Sequence, residues 1–428
     1  MNKTKEKILN LIIKSQKYTK TDMLYITKGG FWLLVGKGGL TLITLVSMIA
    51  FARFLPIEEF GTYKYILSLV GLATIFTLPG INTTLIRSIA KGYEGTLGLA
   101  VKEKTRFAMM GSLVLFSVAL WYAFNENFLL AGSLAIAGIF LPFKEVWPIF
   151  DSFWLGRKRF DIQSIYKILA GLIVLVVMVP TIYLTNNVLI IIFALFLMQT
   201  ISEGIFLLKT FRARTNDEKD LGAISFGKKL TGIKVINKIA ANIDSIIIWK
   251  FLGPAHVAIY SFSYLPIKQT KEAFLIKKLA LPKLSERTLT KELKAGIVSK
   301  LIKLFALTIP ISIGLALIAP FVYQILFPQY MESVIYFQVL TVLLALTPLQ
   351  LLHATYLSQN KQKEVYIINL TSPIIRIILF LPLVPLLGIW GVVIGLLVAH
   401  IITSLISLYL FSRLPTVTEQ EIKSPPSI

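Results

Sequence analysis

Apolar stretches bounded by charges or turn residues recur along the chain, near residues 29–54, 63–86, 106–124, 128–150, 164–185, 187–208, 230–251, 256–276, 302–327, 333–357, 364–386 and 388–412. A helix needs about 20 residues to cross the hydrocarbon core of a bilayer, and these runs come close to that length. Backbone groups in hydrocarbon are satisfied only within a helix or a closed barrel. Continuous apolar runs, rather than two-residue alternation, predict helices. The expected fold is an all-α integral membrane protein with about twelve transmembrane helices.

The connections between these runs sort by charge. The N-terminal tail (Lys3, Lys5, Lys7, Lys14, Lys17, Lys20, Lys28) is strongly basic, as are the loops with Lys102-Lys104-Arg106, Arg157-Lys158-Arg159, Lys209-Arg212-Arg214, Lys277 to Lys303 and Lys361-Lys363. The alternate connections, such as Pro56 to Phe60, Asn125-Glu126-Asn127 and Gly253-Pro254, are short and poor in Lys and Arg. By the positive-inside rule both termini are expected in the cytoplasm. The resulting plan is a basic cytoplasmic segment over 1–28, a six-helix half over 29–208, a basic linker over 209–229, a second six-helix half over 230–412 and a cytoplasmic tail over 413–428. Ala50-Phe51-Ala52 loosely mimics a signal-peptidase site, but the apolar run before it is too long for a signal sequence, and no cleavage is expected.

Composition agrees with a lipid environment: 55% of residues are hydrophobic and 15% charged, and the mean hydropathy is +0.74. The net charge of +22 does not point to nucleic acid, because no water-soluble basic module fits between the spans. It fits topology and an anionic ligand instead. The chain has no cysteine and three scattered histidines, which excludes disulfides and thiolate sites and argues against a metal centre. No cofactor is expected.

A short internal repeat appears at an offset of 197 residues: Phe54-Leu55 through Phe60-Gly61-Thr62-Tyr63 aligns with Phe251-Leu252 through Val257-Ala258-Ile259-Tyr260. A same-direction repeat with an even number of helices predicts two halves related by an axis along the membrane normal, with a binding cavity between them. The segment Phe54-Leu55-Pro56-Ile57-Glu58-Glu59-Phe60-Gly61-Thr62-Tyr63 resembles the turn after the first helix of Wzx-type polysaccharide flippases, in the MATE-like multidrug/oligosaccharidyl-lipid/polysaccharide exporter superfamily. Leu78-Pro79-Gly80 with Arg87, Gly156-Arg157-Lys158-Arg159 followed by Phe160, Leu281-Pro282-Lys283-Leu284-Ser285 and Gly388-Ile389-Trp390-Gly391 add to the resemblance. Pro56 departs from it, standing where the family often has glycine, and so does Ala258 in the second copy. The resemblance implies a non-enzymatic flippase in the cytoplasmic (inner) membrane of a prokaryote. Its substrate would be a polyprenyl-diphosphate-linked oligosaccharide destined for surface polysaccharide. The partners implied are that lipid-linked substrate, membrane lipids, and a polysaccharide polymerase with its assembly proteins.

Charged residues inside spans are costly and usually face a cavity or a partner. In the seventh expected span Lys234, Asn237, Lys238, Asn242, Asp244 and Ser245 fall within an arc of about 160°. That face can form a cavity wall in which Lys234 and Lys238 attract a diphosphate, or the two lysines can snorkel to headgroups. Lys37 lies among Gly36, Gly38 and Gly39, where another helix or a ligand can approach closely. The Gly-Lys-Gly-Gly string lacks the phosphate-loop pattern, so ATPase activity is not expected. Lys144 and Asp151, seven residues apart with Pro148 between them, read either as an internal ion pair or as part of the cationic cavity. Glu145 is a coupling group or a helix-end residue. Arg376 has no carboxylate near it in sequence, so it must find one in space, reach a headgroup or face the lumen, with the lumen favoured by the excess of cations over acids. The expected cationic site is thus Lys37, Lys144, Lys234, Lys238 and Arg376, with Glu145, Asp151 and Asp244 as ion-coupling or ion-pairing acids. His353 and His400 read as packed side chains.

Three other functions compete. A drug or cation antiporter of the same fold needs embedded acids, of which few are identifiable. A membrane-embedded glycosyltransferase or polymerase needs a large outer catalytic loop, and the expected outer loops are short. A lipid II flippase would use the same cationic chemistry.

Overall fold

The computed structural model describes residues 23–416, apart from residues 275, 277–279, 281–283 and 286–287. The basic tail through Lys20, the Leu281-Pro282-Lys283 part of the fourth motif and residues 417–428 of the expected tail lie outside the described residues. In chain order the helices are α1 (Met23–Phe54), α2 (Ile57–Ala73), α3 (Gly80–Ala90), α4 (Thr96–Phe124), α5 (Phe128–Val146), α6 (Phe150–Gly156), α7 (Phe160–Leu184), α8 (Val188–Arg212), α9 (Leu221–Leu252), α10 (Pro254–Ala273), α11 (Lys291–Leu326), α12 (Ser333–Leu340), α13 (Val342–Ala345), α14 (Gln350–Ser358), α15 (Gln362–Leu387) and α16 (Ile389–Arg413). No strand occurs among the described residues.

Ten helical stretches among the described residues are long and apolar enough to cross a membrane. α9 and α10, the remaining two expected spans, are long helices. Lys234, Lys238 and Asp244 in the first, and Lys268 and Lys271 in the second, make them too polar to be counted with the ten. Large apolar side chains such as Val176, Leu317 and Phe321 point outward, as a surface solvated by lipid tails requires.

The expected span 63–86 is broken. α2 passes into a 3-10 turn over Thr74–Thr77, Leu78 takes a left-handed φ of 51°, and α3 starts after Pro79. Proline lacks the N–H that an uninterrupted helix needs here. A second break, the 3-10 turn Trp147–Ile149 containing Pro148, separates α5 from α6. Several helices also begin earlier than hydropathy suggests. α4 starts at Thr96, so Lys102, Lys104 and Arg106 lie within its first turns, and the Lys104 ammonium donates to Asn82 Oδ1 at 2.8 Å.

Two compact units can be distinguished. Unit 1 comprises Val70–Val235 and the chain up to Phe54; unit 2 comprises Leu55–Leu69 and the chain from Ile236. In unit 1, α4 packs on α5, α1 on α7, and α8 on both α5 and α7. Ile81, Leu85, Leu97, Ile149 and Phe153 form its core near α3 and α6. Three connections gather at one end of this unit around Glu94. The Arg157 guanidinium grips the carboxylate with two bonds of 2.6 and 2.5 Å, and the Thr215 N–H adds a third at 2.7 Å. Burial works to raise the Glu94 pKa, but the bonds from Arg157 and Thr215 outweigh it and hold the carboxyl below its ordinary value. In unit 2, α15 packs on α16, and α12 on both α10 and α11.

The repeat appears in the element boundaries. α2 begins at Ile57 and α10 at Pro254, and 254 − 57 = 197. The two helix starts meet inside unit 2. A Cβ on Gly61 would lie 1.9 Å from the Pro254 carbonyl oxygen. Beside it Phe60 is buried, 5.1 Å from the Phe262 ring and 6.1 Å from Tyr330, and Phe262 and Tyr330 stack at 3.7 Å. The Phe60-Gly61 pair thus works as an anchor and a crossing point, since only a glycine lets the Pro254 backbone come so close. Gly61→Ala is expected to cost about 1–3 kcal/mol through overpacking. Thermal unfolding of the purified protein should show a lowered midpoint for Gly61→Ala and an unchanged one for Thr62→Ala.

Candidate substrate-binding site

The polar face of α9 supplies the centre of the site in unit 2. Asp244, 4% exposed, forms an ion pair of 2.9 Å with Arg376 of α15, which is 7% exposed. The Tyr260 hydroxyl donates to the other carboxylate oxygen at 2.8 Å, and the Arg376 guanidinium also donates to the Ala240 carbonyl. Of the alternatives open to Arg376 it finds a carboxylate in space, and it also lines a cavity. Its partner is 132 residues away in sequence (376 − 244), beyond the reach of helical spacing.

A cavity opens beside each partner of this pair. The larger, of about 500 Å³, is lined by Asn237, Lys271, Gln350, Asn369, Arg376 and Ser404 among others, with His353 and His400 also on its wall. The smaller, of about 200 Å³, is lined by Lys64, Ser68, Asn242, Asp244, Tyr260 and Lys268 among others. Of the expected wet face, Asn237, Asn242, Asp244 and Ser245 line these two cavities.

The decisive cations are ones that sequence reading passed over. Lys64, one turn from Phe60 with its ammonium 5.3 Å from that ring, and Lys268 face the smaller cavity, and neither makes an ion pair among the described residues. Lys64 lay at the very start of its expected span, where a lysine reads as an end charge. The spacing of Tyr260, Tyr264, Lys268 and Lys271 on one face of α10 is the signal that could have found the others.

The remaining expected residues take separate places. The Lys234 ammonium, in unit 1, donates to the Pro79 carbonyl at 3.0 Å and to Thr83 Oγ1 at 2.8 Å, so it caps the break between α2 and α3. Lys238 is half-buried in α9 and makes no ion pair among the described residues. Around Lys37, Gly36 faces Ser164 and Gly39 faces Ile168, so these glycines let α1 pack closely on α7. Lys144 does not reach Asp151, because the 3-10 turn at Pro148 breaks the helical phase between them. Lys144 pairs instead with Glu145 at 3.5 Å, and Asp151 pairs with Lys167 at 3.3 Å and accepts from Gln163. Lys37, Lys144, Glu145 and Asp151 therefore belong to unit 1, apart from the cavities of unit 2. Among the described residues no group of three or more His, Cys, Asp or Glu is placed to hold a metal ion.

Residues 26–268, more than half of the 428-residue chain, match the family described as "Polysaccharide biosynthesis protein". The chain belongs to this family. It is 25% identical to the Shigella flexneri protein named "Putative O-antigen transporter" over 92% of this chain and 99% of that one. Its fold is that of the lipid II flippase MurJ in an inward closed conformation (TM-score 0.68, 14% identity, 92% of this chain and 88% of that chain). It also matches an outward-facing multidrug resistance MATE family transporter of the MOP superfamily (TM-score 0.60, 15% identity, 91% and 94%). The resemblance read from the Phe60-Gly61 turn holds at the level of both family and superfamily fold.

Removing one member of a buried ion pair leaves an uncompensated charge, which costs about 3–5 kcal/mol. Arg376→Leu and Asp244→Leu should each lower the thermal midpoint sharply, and the double variant should lose much less than the sum of the two. Strictly additive losses would show that the pair is not coupled.

Proposed function

We propose that this protein is a flippase that carries a polyprenyl-diphosphate-linked oligosaccharide from the cytoplasmic to the outer leaflet of a prokaryotic cytoplasmic membrane, for assembly into surface polysaccharide. The observation that carries this reading is the smaller cavity of unit 2. Lys64 and Lys268 bring two positive charges there without ion-pair partners among the described residues, while Asp244 is neutralised by Arg376. Ammonium groups bind phosphate oxygens through charge-assisted hydrogen bonds, and in a site shielded from water these are strong. The larger cavity, lined by Asn, Gln and Ser side chains and by Lys271, offers the donors and acceptors that sugar hydroxyls need. The polyprenyl chain stays in lipid.

Transport then needs no covalent step: the site is exposed alternately to the two sides, with both termini in the cytoplasm. Family membership and the relatives' names as transporters support this reading. A drug or cation antiporter fits unit 2 less well, since a cation entering it would meet Lys64, Lys268 and Lys271. A lipid II flippase is the second reading, favoured by the MurJ-like fold and the same phosphate chemistry.

Deletion of the gene should cause lipid-linked oligosaccharide to build up in the cytoplasmic leaflet and should stop surface polysaccharide while leaving growth intact. Lys64→Ala and Lys268→Ala, returned at matched membrane levels, should each restore export several-fold less well than wild type, and the double variant should fail. Full rescue by the double variant would remove the cationic site. Arrested peptidoglycan synthesis with surface polysaccharide intact would favour the lipid II reading instead.

A further inference from the structure

The smaller cavity of unit 2 holds an acid as well as its lysines. Among the described residues that line it, Lys64 of α2 and Lys268 of α10 are the cations and Asp244 of α9 is the one acid. The two ammonium groups are close enough to repel each other, a cost that a bound anion relieves. The Asp244–Arg376 ion pair is oriented across the two cavities: Asp244 lines the smaller and Arg376 the larger. From the smaller cavity the carboxylate is therefore the near charge and the guanidinium the far one, and the nearer charge weighs more. The Tyr260 hydroxyl and the Arg376 guanidinium hold the carboxylate in place, so it cannot turn away from a ligand. We propose that Asp244 is a specificity-determining residue, which makes this cavity favour a diphosphate esterified at both ends over one with a free terminal phosphate.

On the flippase reading, on which this role rests, the charge that reaches the cavity depends on the ester bonds of the carrier lipid. When the diphosphate joins polyprenol to sugar, each phosphate keeps a single negative charge, and Lys64 and Lys268 match the two charges one to one. Without the sugar the terminal phosphate is a monoester, whose second pKa of about 6 gives it a charge approaching −2 near neutral pH. That additional charge finds no further lysine on the wall of this cavity and meets the Asp244 carboxylate instead. Like charges shielded from water repel strongly. Asn242 and Ser245, on the same wall as Asp244, are neutral donors that suit the uncharged oxygens of an esterified phosphate. The disfavoured ligand is the one left behind once an oligosaccharide has been transferred off its carrier, so the site takes up loaded lipid and leaves spent lipid.

The test measures binding to the full chain in lipid nanodiscs of two probes that differ by one charge and little in size: geranylgeranyl diphosphate and its methyl ester on the terminal phosphate. At about pH 8 wild type should bind the ester about tenfold more tightly than the free diphosphate. Asp244→Asn/Arg376→Gln, which removes the acid without stranding the buried guanidinium, should lose most of that preference. Should the double variant not fold, wild type alone decides: at about pH 5 the terminal phosphate takes up a proton, the ester does not, and the preference should collapse. Wild type that binds the free diphosphate as tightly as the ester at about pH 8, or a preference kept in full by the double variant or at the lower pH, would overturn the role of Asp244 and leave the flippase reading intact. Wild type that binds neither probe would remove the cationic site itself, and the role of Asp244 with it.

Discussion

A charge carried into hydrocarbon must find an opposite charge, a hydrogen-bond partner or a wet cavity. Most of the interior polar residues of this chain obey that constraint by pairing. Asp244 and Arg376 neutralise each other between two cavities, Asp151 is held by Lys167 and Gln163, and Lys234 caps a carbonyl at a helix break. Against that background stand the groups with no ion-pair partner among the described residues. Lys64 and Lys268 form a cationic pocket in unit 2. A cationic pocket suits an anionic lipid headgroup.

The breaks in the helices matter for the same reason. Proline at 79 and 148 interrupts backbone bonding inside expected spans, and each break redirects polar groups. At Pro79 the carbonyl becomes the seat of the Lys234 ammonium. At Pro148 the change of phase sends Lys144 and Asp151 to different partners. A straight helix through either point would have produced other ion pairs.

Much of the fold was legible in the sequence because hydropathy and helical period are local signals. The apolar runs gave ten stretches able to span the membrane, and the 197-residue offset reappears in the starts of α2 and α10. The Phe60-Gly61 turn was legible as a family feature, and its physical cause, the contact with the Pro254 backbone, became visible only in three dimensions. Pairings were not legible, since Arg376 and Asp244 lie on helices far apart in the chain. Nor was Lys64, disguised as an end charge. Asn237, Asn242, Asp244 and Ser245 of the expected wet face of α9 line the two cavities, whereas Lys234 on the same face is bonded to the Pro79 carbonyl.

The most direct test is flipping by the purified protein itself. Vesicles containing a fluorescently labelled polyprenyl-diphosphate oligosaccharide, with and without the protein, would be exposed to a quencher that cannot cross the membrane. The account predicts that wild type makes the inner-leaflet lipid accessible over time, while vesicles with Lys64→Ala/Lys268→Ala behave like protein-free ones. Equal quenching with and without the wild-type protein, under every ion gradient applied, would contradict it.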